Sequence, residues 1–201
     1  MVPGMVDRPT AAANRPLVVV SNRGPVSFRF DDDGRPVARR GAGGLVSGLG
    51  PLMAGNGALW VAAAMSDADR QAAGAGVAEV EGFRFRALDV DADTYRRYYD
   101  EIANTTLWYL HHGLGDRARW PVLDRAWHEA WDAYREVNHA FAELVAAEAP
   151  DGAVVLVQDL HLSLLAGPLT ERRPDLTAVH FSHTPFAPPA IRSASFAPCA
   201  C

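Results

Sequence analysis

The sequence predicts an α/β fold in which a parallel sheet is flanked by helices. The first reason is the stretch 154–189, where apolar runs from Val154 to Val157 and from Thr177 to Phe181 enclose a helical segment. Strands buried on both faces of a parallel sheet have continuous apolar runs of this kind. The second reason is that similar runs occur earlier, from Leu17 to Val20 and from Ala58 to Ala64. Short apolar strands that alternate with helical segments are typical of βαβ units.

Composition and charge are those of an ordinary globular protein. The 201 residues are 49% hydrophobic and 21% charged, with a formal net charge of −5. A chain of this length can bury one sizeable core. Without a block of like charges, a nucleic-acid or anionic membrane surface is not expected, and no apolar run is long enough to span a bilayer. We therefore expect a cytoplasmic protein with no nucleic-acid or membrane partner.

The first third of the chain predicts a strand, a hairpin and a glycine-rich loop. The strand from Leu17 to Val20 runs into a Ser-Asn-Arg-Gly-Pro loop. Val26 to Phe30 alternates apolar and polar residues, and an Asp-Asp-Asp-Gly turn lets Pro36 to Arg39 return as its hairpin partner. Residues 40–49 are rich in glycine and open into a short helix.

The middle of the chain predicts one further strand and three helices. Ser66, with Asp69 three residues later, predicts a helix start of the capping-box type. A strand is expected from Phe83 to Val90, and the chain is helical in character from Asp93 to His111. The longest helical pattern, Asp124 to Glu148, places large apolar residues at spacings of three and four.

The two ends of the chain have little regular pattern. Residues 1–15 lack an apolar stretch of the signal-peptide type and predict a disordered leader. Residues 190–201 predict an irregular tail, in which Cys199 and Cys201 suit neither a disulfide framework nor a structural zinc site. A helix should cover the last strand, so we expect a truncated or frameshifted product or a fragment, with an exposed apolar surface after Phe181.

Two interpretations of the glycine-rich loop stay open. Free N–H groups where such a loop enters a helix attract anions, and the helix dipole adds to this attraction. Gly43 and Gly44 lack the lysine of a phosphate-binding P-loop nearby, so a plain turn is the alternative. Arg23, at the end of the first strand, favours phosphate binding because a guanidinium fork suits phosphate. A lone arginine is, however, more often a surface ion-pair partner.

Polar residues follow the two strands of the βαβ unit. Asp159 and His161 follow the first strand, and His183 follows the second. Ligands of open α/β sheets bind beyond the carboxyl ends of the strands, so these side chains could hydrogen-bond sugar hydroxyl groups. A structural role is the alternative for each of them. Structural roles are expected for the remaining histidines of interest, which are His111, His112 and His180.

An aromatic cluster lies in the first long helical segment. Side chains at such helical spacing more often form core than a ligand platform, although Trp and Tyr beside a cleft can also stack on sugar rings. The sequence leaves this choice open. The cluster consists of Tyr95, Tyr98, Tyr99, Trp108 and Tyr109.

In combination these motifs resemble a known family. Six stretches carry the resemblance and occur in the order LVVVSNRGPVSF, RRGAGGLVSGL, ALWV, YYDEIANTTLW, VLVQDLHL and FSHTPFAPP. The order is similar to that of the trehalose-6-phosphate synthases, retaining GT-B glycosyltransferases of family 20, and especially of their actinobacterial branch. The resemblance implies that residues 16–189 form a Rossmann-like, N-terminal acceptor-binding domain. It also implies that the C-terminal nucleotide-binding domain is missing.

The resemblance implies an acceptor site for glucose 6-phosphate. Its acceptor-binding residues would be Arg23, Tyr99 and Trp108. A tryptophan that the family commonly has shortly after the Leu-Trp pair is replaced here, because residues 62–64 are all alanine. A synthase for another phosphorylated acceptor, of the glucosylglycerol-phosphate type, therefore stays open.

The resemblance also implies residues close to the reaction. Gly43 and Gly44 would approach the diphosphate of the donor, while Asp159 and His183 would be catalytic. The residues on either side of Asp159 are Gln and Leu, where the family usually has His and Tyr.

The implied reaction transfers glucose from UDP- or GDP-glucose to glucose 6-phosphate, with retention, and gives trehalose 6-phosphate. The nucleotide sugar and glucose 6-phosphate are the implied partners, and the resemblance implies no cofactor and no bound metal. Two questions stay open, namely whether the chain forms a homo-oligomer and whether it is a non-catalytic, truncated sugar-phosphate-binding module. We expect the chain alone to be inactive because the donor domain is absent.

Overall fold

The computed structural model describes residues 15–41, 44–53, 57–80, 82–114 and 121–187. Except for Arg15, the predicted leader of residues 1–15 lies outside these ranges, as do Gly43 and the predicted tail of residues 190–201. Within them, the predicted parallel sheet with flanking helices is confirmed.

The strands form a six-stranded sheet and a separate hairpin. The strands are β1 (Leu17–Ser21), β2 (Val26–Phe30), β3 (Pro36–Arg40), β4 (Leu59–Ala63), β5 (Ala78–Val80), β6 (Phe83–Leu88), β7 (Val154–Gln158) and β8 (Thr177–Phe181). The sheet has the order β5-β6-β4-β1-β7-β8, and β2 pairs with β3. All of its neighbouring pairs are parallel except β5 with β6. The short antiparallel strand β5 was not predicted.

Helices connect the strands. They are α1 (Gly44–Met53), α2 (Asp67–Gly74), α3 (Ala92–Arg96), α4 (Trp108–His112), α5 (Arg125–Glu148) and α6 (Ala166–Arg172). A π-helical segment, Arg97–Leu107, joins α3 and α4 into one continuous helix, and a 3₁₀ turn, Leu160–Leu162, follows β7. The helical predictions are confirmed, although the π-helical character was not foreseen. Among the helices of the described residues, none is long and apolar enough to cross a membrane.

The strand order creates a crevice beside β1. From β1 the chain builds outward through β4 and β6, and then returns to the other side of β1 to add β7 and β8. This is the strand order of the Rossmann fold, and ligands bind where the order reverses. The crevice therefore lies between the carboxyl ends of β1 and β7.

The two faces of the sheet pack against different helices. Val18 and Val20 of β1 belong to a core formed with the helix from α3 to α4, with α5 and with α6. Val19 and Trp60 belong to a second core, which includes residues of the hairpin, α1 and α2. Because neighbouring residues of a strand point to opposite faces, this division explains the continuous apolar runs.

The start of α2 links the helix to the hairpin. As predicted, the Ser66 side chain accepts a hydrogen bond from the Asp69 N–H, at 3.1 Å. The Asp69 carboxylate does not complete the capping box, because it accepts instead from the N–H groups of Phe28 (2.7 Å) and Met65 (3.1 Å). Asp69 is only 7% exposed, so this buried carboxylate fixes the hairpin against the start of α2.

Strand β8 is the last strand of the described sheet, and one of its faces is open. Val179 is 46% exposed and Phe181 is 56% exposed. Both line a cavity of about 560 Å³ that also touches Leu156 and α1. The expected apolar surface at the end of the sheet is confirmed for the described residues.

Candidate functional site

A cleft of about 300 Å³ opens at the carboxyl ends of β1 and β7. Four of the residues proposed from the sequence line this cleft, namely Arg23, Tyr99, Asp159 and His183. These residues meet as expected, because the carboxyl ends of parallel strands lie at one edge of the sheet. The volume lies at the lower end of the range typical of ligand sites, which is about 300 to 1,000 Å³.

Ser21 sets the direction of the chain where β1 ends. Its hydroxyl accepts a hydrogen bond from the Trp60 indole N–H (2.7 Å) and donates one to the Arg23 carbonyl (2.7 Å). The residue is 2% exposed, so both bonds are shielded from water. This turn places Arg23 at the wall of the cleft.

Asn22 joins the end of β1 to the helix that begins at α3. Its Nδ2 donates to the Tyr95 hydroxyl at 3.0 Å, and its Oδ1 accepts from the Tyr98 hydroxyl at 3.0 Å. Burial raises the pKa of Tyr95 to about 12 and that of Tyr98 well above its usual value. Both phenols therefore stay protonated at neutral pH. Of the proposed aromatic cluster, Tyr98 is fully buried core and Tyr99 reaches the cleft.

Three nearly parallel rings form a stack, and two of them, Tyr99 and His161, line the cleft. The rings of Tyr95 and Tyr99 are 5.5 Å apart with an interplanar angle of 14°. On its other face, Tyr99 stacks on His161 at 5.3 Å and 22°. Offset stacking at such distances is favourable for aromatic rings, and it fixes the plane of the middle ring.

Asp159 has an unusual backbone conformation. Among the described residues it is the non-glycine residue with a positive φ, 68°, at a ψ of 172°. Its N–H donates to the Phe181 carbonyl (2.7 Å), and its own carbonyl accepts from His180 Nε2 (2.9 Å). Such conformations cost about 1 to 3 kcal/mol and are concentrated at functional sites. Strand β8 therefore holds Asp159 in a strained position at the cleft.

The Asp159 carboxylate is held in its charged form. One oxygen accepts from the Leu160 N–H at 2.8 Å, and the other lies 3.7 Å from His161 Nδ1. Burial works to raise the pKa of Asp159, but the His161 imidazole, the Leu160 N–H and the His183 side chain outweigh it, and the pKa falls to about 2. An ionised carboxylate can accept hydrogen bonds from sugar hydroxyl groups but cannot serve as a general acid at neutral pH.

His161 is a further residue of the cleft, to which the resemblance gave no role. Its Nε2 is buried and has no hydrogen-bond partner among the described residues. A buried polar atom of this kind requires an explanation, and a hydrogen bond to a water or a ligand is a common one. The sequence places His161 at the end of a strand, but no sequence pattern predicts that its ring stacks on Tyr99.

Gly44 lies beside two larger cavities that adjoin the cleft. One, of about 430 Å³, also touches Arg23 and Ala63, and the other, of about 560 Å³, also touches His183. Apart from its sequence neighbours and the backbone of its own helix, a Cβ atom built on Gly44 would meet no atom of the described residues within 4 Å. Packing therefore does not require glycine here, and the backbone at the start of α1 is open to a ligand. Leu45 lines both of these cavities and the cleft.

Trp108, the remaining proposed residue, does not line the cleft. Its ring stacks on His112 at 4.0 Å and 28°, and the side chain is 36% exposed. The neighbouring His111 supports the loop that follows β8, because its Nδ1 accepts from the Ala187 N–H at 3.1 Å. Phe186 packs edge-on against the same imidazole at 5.0 Å.

Comparisons with known proteins identify the family of the chain. Residues 15–193 match the family model described as Glycosyltransferase family 20. A trehalose-6-phosphate synthase of Mycobacterium sp. strain JLS is 36% identical over 183 residues, which are 90% of this chain and 36% of that protein. The synthase of Mycobacterium sp. strain KMS is 38% identical over 86% of this chain and 33% of its own length. The chain thus spans about a third of the length of these relatives.

A solved structure also resembles the fold. The α,α-trehalose-phosphate synthase (UDP-forming) of Burkholderia vietnamiensis superimposes with a TM-score of 0.66 at 26% identity, over 88% of this chain and 34% of that one. The predicted GT-B architecture of the N-terminal half is in agreement with this likeness. On the family match and the identity of its relatives, the chain belongs to glycosyltransferase family 20.

Proposed function

We propose that the protein containing this chain transfers glucose from a nucleotide sugar, UDP- or GDP-glucose, to glucose 6-phosphate, with retention, and forms trehalose 6-phosphate. The observation that carries the proposal is the cleft at the reversal of strand order. It combines a guanidinium group, an aromatic ring and an ionised carboxylate, from Arg23, Tyr99 and Asp159, around one space. The names of the relatives support the same reaction.

The cleft would hold the acceptor. Arg23 would pair with the phosphate through two parallel N–H bonds, for which the guanidinium geometry is suited. The Asp159 carboxylate would accept hydrogen bonds from sugar hydroxyl groups, and the Tyr99 ring would limit where the sugar can lie. Holding the acceptor in one orientation converts a bimolecular encounter into an oriented one, which lowers the entropic part of the barrier.

The donor would lie on the side of α1. The start of this ten-residue helix presents backbone N–H groups, and at Gly44 no Cβ blocks the approach of a diphosphate. Gly43, which lies outside the described residues, is proposed for the same role. These groups would stabilise the charge that develops on the departing nucleoside diphosphate. His183 lines both the cleft and the cavity beside α1, so it would contact the donor sugar at the reacting centre.

We also propose that residues 16–189 are the acceptor-binding domain of this enzyme. The 201-residue chain spans 36% of its Mycobacterium sp. strain JLS relative, so it would bind the acceptor without completing the transfer. Production of trehalose 6-phosphate by the purified chain, with a nucleotide sugar and glucose 6-phosphate supplied, would contradict this part of the proposal.

Calorimetric titration of the chain with glucose 6-phosphate and with glucose tests the acceptor site. Arg23→Ala should weaken glucose 6-phosphate binding about 10- to 100-fold, since a hydrogen bond to a charged group contributes about 1.5 to 3 kcal/mol. The affinity for glucose should not change. Arg29→Ala, on the exposed face of β2, is the control and should bind as the wild type. Equal losses for both sugars in Arg23→Ala would show that Arg23 does not bind the phosphate.

A second acceptor class is favoured by one observation. Ala63 and Met65 line the cavity of about 430 Å³ beside Arg23, in the region where the family commonly has a tryptophan. This space would accept a phosphorylated acceptor of a different shape, such as glycerol 3-phosphate. Tighter binding of glycerol 3-phosphate than of glucose 6-phosphate would favour this alternative.

A further inference from the structure

We propose that Asn22 is a positioning residue for the acceptor: its buried amide, acting through Tyr95, holds the ring of Tyr99 in place at the wall of the cleft. The inference rests on the proposed function, in which Tyr99 faces the acceptor. Three observations carry it, namely the use of both amide atoms, the link from sheet to helix, and the parallel stack of rings.

Both polar atoms of the Asn22 amide are engaged. Nδ2 donates to the Tyr95 hydroxyl and Oδ1 accepts from the Tyr98 hydroxyl, each at 3.0 Å, while the Tyr95 hydroxyl also lies 3.3 Å from Oδ1. Asn22 is 5% exposed and Tyr98 is fully buried. In such surroundings a polar network is rigid when every member is satisfied and costly when one is missing. The network therefore holds both hydroxyls against the amide.

Asn22 itself is fixed to the sheet. Its backbone carbonyl accepts from the Ala63 N–H at 3.1 Å, directly beyond the parallel pairing of β1 with β4. The tyrosines belong to the helix that starts at α3, 73 residues further along the chain in the case of Tyr95. The amide thus sets the position of this helix relative to the sheet edge where the cleft opens.

Tyr95 restricts the position of the Tyr99 ring because the two rings are stacked. Tyr99 lies between the rings of Tyr95 and His161, nearly parallel to both, with interplanar angles of 14° and 22°. At the far end of the stack, His161 Nδ1 lies 3.7 Å from the Asp159 carboxylate. One continuous series of contacts therefore joins Asn22 to Asp159 across the wall that would face the acceptor.

Tyr98 provides a matched control. Its hydroxyl donates to the same amide, but its ring stacks on Tyr134 (5.7 Å, 27°) and meets Tyr95 (5.7 Å, 61°) and His161 (6.4 Å, 61°) only at an edge. Tyr95→Phe and Tyr98→Phe each remove one hydroxyl from Asn22 and keep the ring. Tyr95 stacks face to face on Tyr99, whereas Tyr98 meets the stack only at edges. A larger effect of Tyr95→Phe than of Tyr98→Phe on Tyr99 therefore distinguishes positioning from a general loss of stability.

The first measurement needs no ligand. The Hε1 proton of His161 experiences the ring current of Tyr99, and its NMR resonance is identified by its loss in His161→Gln. Asn22→Ala and Tyr95→Phe should shift this resonance, and Tyr98→Phe should shift it less, because Tyr98 meets His161 only at an edge, at 6.4 Å and 61°. An unshifted resonance in both Asn22→Ala and Tyr95→Phe would overturn the inference, because Tyr99 would then be held without the amide.

The second measurement is the affinity for glucose 6-phosphate, by calorimetry on the whole chain. Asn22→Ala should bind about tenfold more weakly and Tyr95→Phe about threefold more weakly, as for the loss of one neutral hydrogen bond or more. The double variant should bind no more weakly than Asn22→Ala alone, because coupled residues are not additive. Tyr98→Phe should have a lower Tm but an unchanged affinity. If Asn22→Ala does not fold, Tyr95→Phe and Tyr98→Phe carry the comparison.

The outcomes separate this inference from the proposed function. If the wild-type chain does not bind glucose 6-phosphate, both are overturned. If the wild type binds and Asn22→Ala binds equally well, or if the two losses add in the double variant, only the positioning role of Asn22 is overturned.

Discussion

The two sides of the cleft are built in different ways. On the side of the tyrosines, polar atoms and rings contact one another, from the Asn22 amide to the carboxylate of Asp159. On the side of α1, Gly44 faces open space and Leu45 separates cavities of about 430 and 560 Å³ from the cleft. The first side is therefore organised by its own contacts, whereas the second has room for a ligand.

The largest effect is expected on the organised side, at Asp159. Asp159→Val should lower the free energy of unfolding by about 2 to 3 kcal/mol relative to Asp159→Asn, because a β-branched side chain is strained at a positive φ that asparagine tolerates. Urea unfolding followed by circular dichroism measures this difference. Equal stability of the two variants would mean that the backbone conformation of Asp159 relaxes without cost.

Lowering the pH should loosen the same side. The pKa of Asp159 in the folded chain is about 2, below its usual value of 3.8, so the carboxylate contributes stability that is present above the usual pKa and is lost as the pH falls towards 2. Between pH 4 and pH 2 the wild type should lose up to about 2 kcal/mol more than Asp159→Asn. Parallel pH profiles of the two proteins, from urea unfolding at each pH, would contradict this electrostatic picture.

A smaller effect distinguishes two glycines around the open side. A Cβ on Gly41 would lie 2.9 Å from the Pro25 carbonyl oxygen, whereas a Cβ on Gly44 would meet nothing within 4 Å. Gly41→Ala should therefore destabilise the chain by about 1 kcal/mol or more, and Gly44→Ala should be neutral or stabilising by up to about 1 kcal/mol. Thermal unfolding measures both. A loss in Gly44→Ala equal to that in Gly41→Ala would show that the space beside α1 is not open.

Much of the fold could be predicted from the sequence because its central strands, β1 and β4, are buried on both faces and are therefore apolar runs. Strands β7 and β8 are also mainly apolar, and the ends of β1, β7 and β8 place Arg23, Asp159 and His183 at one edge of the sheet. Strand β5 was missed because three residues at an antiparallel edge leave no such run. Similarly, the hydrogen-bond partners of the Asp69 carboxylate depend on where the hairpin packs, and no local sequence pattern predicts that position.

The candidate site could be predicted only in part. The strand-end rule predicts which residues reach the edge of a sheet, but it does not give the rotation of the helix that faces them. That rotation decides that Tyr99 enters the cleft while Trp108 stacks on His112 instead. The bonds of Asn22 to residues more than 70 positions away likewise depend on tertiary packing.

The open face of β8 has a practical consequence for work with the purified chain. Two large apolar side chains, Val179 and Phe181, alternate along a strand at the edge of the described sheet, and such strands pair readily with other chains. We expect the apparent molar mass from light scattering to increase with protein concentration, and Val179→Lys to reduce that increase without lowering Tm. Titrations and spectra of the purified chain should therefore be recorded below the concentration at which the apparent molar mass begins to rise.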